Sequence, residues 1–96
     1  MAESSFKAKL KKELSTLFPG SLVLDNDAGH IQGIPDLLIL YKKHWAGLEC
    51  KKGIGASHRP NQDYYVEQMN NMSYAAFISP ENKEEILNAV QRALQP

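Results

Sequence analysis

The run Leu37-Leu38-Ile39-Leu40-Tyr41 is the strongest constraint on how this chain folds. Five apolar residues in succession predict a strand covered on both faces. Lys42-Lys43-His44-Trp45 then reads as a turn, and Ala46 to Lys51 returns as a second strand. A connection this short joins antiparallel neighbours, so the two strands are expected to form a hairpin.

Elements flank that hairpin on both sides. From Glu3 to Leu17, Phe6, Leu10, Leu14 and Leu17 fall at helical spacing, with Lys7, Lys11 and Lys12 off the stripe. That pattern predicts an amphipathic helix. Phe18-Pro19-Gly20 ends it, Ser21 to Asp25 reads as a short strand, and Asn26 to Gly33 as a polar loop. Beyond the hairpin, Gly53 to Ser57 is a loop and Pro60 opens a second helix, with Tyr65, Met69 and Met72 on one face. Tyr74 to Ile78 is a further strand. Ser79 and Pro80 read as the cap and first turn of a last helix, whose stripe is Ile86, Leu87, Val90 and Leu94. The order is α-β-β-β-α-β-α, an α/β fold with a mixed four-stranded sheet flanked by helices.

Ninety-six residues suffice for one domain with a single two-layer core, and nothing marks a linker or a repeat. No apolar run approaches the roughly 20 residues of a membrane span. One cysteine, Cys50, excludes an internal disulfide framework and any multi-cysteine zinc site. It suits a reducing, cytoplasmic setting, with which a bacterial or phage origin is compatible. The formal net charge of zero does not advertise a nucleic-acid binder and counts against that class, although local charge and a bound metal could outweigh it.

The chemistry concentrates in Gly33-Ile34-Pro35-Asp36 and Glu49-Cys50-Lys51. Side chains alternate along a strand, so Glu49 and Lys51 project together while Cys50 points the other way. Asp36 starts the first strand of the hairpin, opposite the end of the second, so Asp36, Glu49 and Lys51 are expected to meet. Two crowded carboxylates require a counter-charge, which Mg²⁺ or Mn²⁺ bound by oxygen ligands supplies, with the Cys50 backbone carbonyl as a further ligand. Lys51 beside them suits orienting or deprotonating a water and stabilising charge on a phosphoryl group. Lys52 and Arg59 flank the cluster and are the preferred phosphate contacts. These are the parts of a metal-dependent phosphodiester hydrolase.

With Asp36, Glu49 and Lys51 in that element order, the chain resembles the PD-(D/E)XK nuclease superfamily. Gly33-Ile34-Pro35-Asp36-Leu37 and a glutamine early in the following helix are most similar to its VRR-NUC branch and to small Holliday-junction resolvases. The resemblance implies a restriction-endonuclease-like α-β-β-β-α-β core with a C-terminal helix, spanning residues 1–96. It implies a catalytic Asp36, Glu49 and Lys51, with Gln62 as the helix glutamine near the scissile strand. It also implies a first-helix glutamate on the metal, for which Glu3 is preferred and Glu13 is second. The implied activity is a homodimeric endonuclease on DNA, branched DNA included.

Two other classes remain open: a flap- or end-directed or non-specific DNA nuclease, and a non-catalytic nucleic-acid-binding module. The blander readings stand beside each residue. Asp36 suits a turn after proline, and Glu49 with Lys51 suits a solvated strand face. His30, His44 and His58 are scattered without zinc spacing and are read as outside the catalysis. Cys50 reads as a small core residue, and Tyr64, Tyr65 and Met69 as core packing.

Overall fold

A computed structural model describes residues 3–26 and 31–96. The elements are α1 (Glu3–Leu17), β1 (Leu22–Asp25), β2 (Leu37–Tyr41), β3 (His44–Cys50), α2 (Pro60–Met72), β4 (Tyr74–Ile78) and α3 (Lys83–Leu94). One sheet holds all four strands in the order β1-β2-β3-β4. The first two pairings are antiparallel, whereas β4 lies parallel to β3 after the α2 crossover. Mixed α/β architecture with a mixed four-stranded sheet thus agrees with the reading from sequence.

The main core lies on one face of this sheet. Phe6, Leu10 and Leu14 of α1 meet Leu87, Val90 and Leu94 of α3 over Leu37, Ile39, Ala46, Leu48, Cys50 and Ile78. Phe18, just past α1, packs its ring against Tyr41 with centroids 5.5 Å apart. The alternate positions of β2 and β3 face the other way, where α2 packs on β3 and β4. There Gly47 leaves room for a helix side chain: a Cβ built on it would lie 2.9 Å from the Met69 methyl.

Several local expectations are corrected. β3 begins at His44, because Lys42 and Lys43 alone close the hairpin. Lys42 takes φ 56°, the left-handed conformation that matches a two-residue turn to the strand twist. His44 and Trp45 therefore pair with Tyr41 and Leu40. β2 is not fully covered on both faces: Leu38 and Leu40 are half-buried, since α2 lies over β3 and β4 instead. β1 starts at Leu22, leaving Ser21 outside it.

The helix faces also differ. Val66 is the buried residue of α2, whereas Met72, its last residue, is 72% exposed beyond the sheet. Tyr64 does not join the core either; it is exposed, with its ring edge-on to Tyr65 at 4.9 Å. Ser79 and Pro80 do not open α3. The Asn82 side-chain oxygen accepts from the Ser79 backbone N–H at 2.7 Å and from its hydroxyl at 3.2 Å. Those bonds hold residues 79–82 in a turn, and the helix starts only at Lys83.

Candidate functional site

The ladder between β2 and β3 ends with Leu37 opposite Leu48. One residue further along each strand sets Asp36 opposite Glu49, and strand alternation turns both away from the main core. The Asp36 carboxylate accepts a hydrogen bond from the Cys50 backbone N–H at 2.9 Å. It therefore extends the hairpin's bonding by one side chain. From the other side, the Asn26 backbone N–H donates to the Asp36 carbonyl, and its side-chain amide to the Pro35 carbonyl, each at 2.8 Å. Pro35 and Asp36 are thus held between β1 and β3.

Glu49 and Lys51 are buried, 3% and 9% exposed, beneath the start of α2. Cys50 between them points into the opposite core and is fully buried, as its parity requires. Burying two charged side chains demands bonding partners. Gln62 supplies them: its side-chain oxygen accepts from the Lys51 ammonium at 2.7 Å, and its amide nitrogen donates to Glu49 at 3.2 Å. The same oxygen accepts the Arg59 backbone N–H at 3.0 Å, satisfying an N–H at the helix start that has no intrahelical acceptor. One amide thereby joins the acid, the base and the helix cap.

A hollow of about 180 Å³ opens above this network, lined by Gly33, Asp36, Glu49, Arg59, Asn61 and Gln62 among others. Gly33 forms its wall with φ 91°, and a Cβ there would lie 2.7 Å from the backbone carbonyl carbon of Asn61. Only a glycine permits that close approach of loop to helix. A larger hollow of about 580 Å³ lies at the turn end of the hairpin, lined by Tyr41, Lys42, Lys43 and His44, and none of the motif residues reaches it.

Asp36, Glu49, Lys51 and Gln62 therefore come together, and Arg59 lines the same hollow. Lys52 is exposed next to Lys51. Glu3 opens α1, but its side chain lies outside the described residues, as does His30. Glu13 is engaged elsewhere, in an ion pair with Lys83 of α3 at 3.0 Å. Among the described residues no three His, Cys, Asp or Glu side chains group together as a metal cage. Asp36 and Glu49 offer oxygen donors on one hollow, a set that fits a hard divalent cation retaining several waters.

Two contributors were not singled out from sequence. Asn26 is one, although it stands where a strand gives way to a loop, a position where Asn commonly bonds nearby main chain. Asn61 is the other, and only the glycine of Gly33-Ile34-Pro35 signalled that something must approach closely there. No protein-family model matches the chain, and neither a curated protein nor a solved structure matches it.

Proposed function

We propose that the chain is a metal-dependent nuclease hydrolysing phosphodiester bonds in DNA. The observation that carries this reading is the buried Glu49–Gln62–Lys51 chain of hydrogen bonds beside Asp36. Burying an acid and an ammonium under a helix, with a second carboxylate on the same hollow, is a costly arrangement for stability alone. It suits a site that must hold charge in fixed directions.

In this reading Asp36, Glu49 and the Cys50 carbonyl hold Mg²⁺ or Mn²⁺, with Glu3 as the additional acid. The bound ion supplies Lewis-acid polarisation of the phosphoryl oxygen and a lowered pKa for its water. Lys51, aimed by Gln62, orients the attacking water and donates hydrogen bonds to the charge that develops on the phosphoryl oxygens. Gln62 keeps the ammonium in place and restrains Glu49 through its amide N–H. Arg59 and Lys52 neutralise neighbouring backbone phosphates. The resemblance to the PD-(D/E)XK nucleases extends the reading to a homodimer acting on branched DNA.

The test is cleavage of labelled linear duplex, single-stranded, flapped and four-way DNA with Mg²⁺, Mn²⁺ or EDTA, comparing wild type with Asp36→Asn. The amide keeps an acceptor for the Cys50 N–H and loses only the charge. Metal-dependent cleavage that disappears in Asp36→Asn supports the reading, and paired symmetric cuts in four-way DNA support the branched substrate. Cleavage in EDTA, or a fully active Asp36→Asn, rejects the mechanism. Binding without cleavage under every condition favours a non-catalytic module.

A further inference from the structure

Lys51 also borders a smaller cavity of about 110 Å³. Lys51, Gly53, Ile54, His58 and Phe77 are among the residues that line it. The His58 ring lies nearly parallel to Phe77 of β4, with centroids 3.7 Å apart and planes 14° from each other. Its Nδ1 lies 2.9 Å from a carboxylate oxygen of Asp63. A carboxylate can only accept, so Nδ1 is the donor in this pair and Nε2 is left for a ligand. The ring is therefore oriented by two restraints, while its side chain stays 31% exposed. His58 directly precedes Arg59, which lines the catalytic hollow. The head of α2 thus connects the two cavities, Arg59 lining one and His58, together with Lys51, the other.

We propose that His58, braced by Asp63 and Phe77, is a proton-dependent contact for a second backbone phosphate of the bound nucleic acid, made when its imidazole is charged. This rests on the nucleic-acid reading of the neighbouring site. Lys51 from the end of β3, Arg59 at the head of α2 and a protonated His58 give a short track of positive charge. A phosphodiester backbone, with its regular anionic spacing, is the ligand such a track fits. The charged groups around the imidazole are Asp63 from α2, Arg59 next in the chain, Lys51 from the end of β3, and Glu81, which closes on Gly53 from the turn after β4 (a Cβ there would be 3.4 Å from its carboxylate). Phe77, Ile78, Ser79 and Asn82 contribute no charge.

The experiment measures binding of a labelled linear duplex in EDTA by the Asp36→Asn protein, so that no strand is cut. Salt titrations are run at about pH 5.5 and about pH 8, on either side of the range in which histidine changes charge. One lost phosphate contact on duplex DNA lowers the slope of log affinity against log salt by about 0.9. The slope is expected to be steeper by that amount at the lower pH, and His58→Gln should abolish the difference while matching its parent at the higher pH. A His58→Gln effect equal at both pH values would mark a merely structural role and overturn the proposal. An unchanged slope at both would do the same. Absence of binding to linear duplex would reject this contact, and absence of binding to single-stranded, flapped and four-way DNA as well would reject the nucleic-acid reading with it. Binding with the expected pH signature, in a protein whose wild type cleaves nothing, would reject only the nuclease chemistry.

Discussion

The Lys51 ammonium and the Gln62 side-chain oxygen lie 2.7 Å apart, joining the end of β3 to the first turn of α2. An amide suits that position because it offers an acceptor and a donor on one rigid plane. Its oxygen serves Lys51 and the Arg59 N–H, and its nitrogen serves Glu49. An aliphatic side chain of similar length could bond neither the ammonium nor the carboxylate.

Gln62→Ala should destabilise the fold by about 1–3 kcal/mol, because the buried Lys51 loses a bonding partner. Denaturant midpoints at unchanged slope would measure this. Cleavage, if present, should fall about 10- to 100-fold, the usual effect of removing a residue that aims a metal-site ligand. Gln62→Glu should also impair the site, since a carboxylate then faces Glu49 where an N–H donor stood. A Gln62→Ala protein as stable as wild type would mean that the network does not hold the site together.

The two close-packed glycines should respond differently to a methyl group. At Gly33 the added Cβ meets Asn61 backbone at 2.7 Å, on a residue with φ 91°. Neither restraint can relax cheaply, so Gly33→Ala should cost about 1–3 kcal/mol and displace Asp36. At Gly47 the nearest atom is the terminal methyl of Met69, a flexible end that can swing aside. Gly47→Ala should cost about 1 kcal/mol, the low end of overpacking. Thermal midpoints of the pair decide the order, and the reverse order would contradict these contacts.

Asp25 provides a pH dependence outside the candidate hollow. The hydrogen bond from Lys11 at 2.6 Å is the main cause holding its carboxyl below the ordinary 3.8; desolvation opposes it, and the charges of Lys11 and Lys7 add to the lowering. A carboxyl depressed in the folded state stabilises above its unfolded value and loses that contribution as pH falls through the folded one. Between neutral pH and about pH 5 wild type and Asp25→Asn should therefore differ by a constant, and below that the curves should converge. Both partners are substantially exposed, so the difference should be small and should vanish in about 1 M salt. A difference that persists in high salt would show that Asp25 acts otherwise than through this pair.

The long periodic segments were legible because one rule governed each of them. α1 runs from Glu3 to Leu17 as its stripe predicted, and β2 and β4 match their apolar runs. Parity alone separated Glu49 and Lys51 from Cys50. Where a side chain competes with the main chain, the pattern was silent: Asn82 takes the Ser79 donor and delays α3 by a turn. The exposure of Met72 and the half-covered face of β2 both depend on where α2 sits across the sheet, which no local spacing encodes. For the same reason Gln62 could be placed near the site, but its three bonds could not be read in advance.

The hairpin turn of Lys42 and Lys43 also governs which changes of chain length this site could survive. Asp36 and Glu49 are opposed because the ladder between them runs without a bulge, from Tyr41 opposite His44 to Leu37 opposite Leu48. One residue inserted within that stretch of β3 would exchange the two faces, sending Glu49 and Lys51 into the apolar core and presenting Cys50 under α2. Two inserted residues would restore the faces but shift the charged pair past Asp36 by about 7 Å, the rise of two strand residues. Variation in length is therefore expected to accumulate in the turn or in residues 52–58. Between Asp36 and Lys51 the strand segments are held to a fixed count by arithmetic as much as by chemistry.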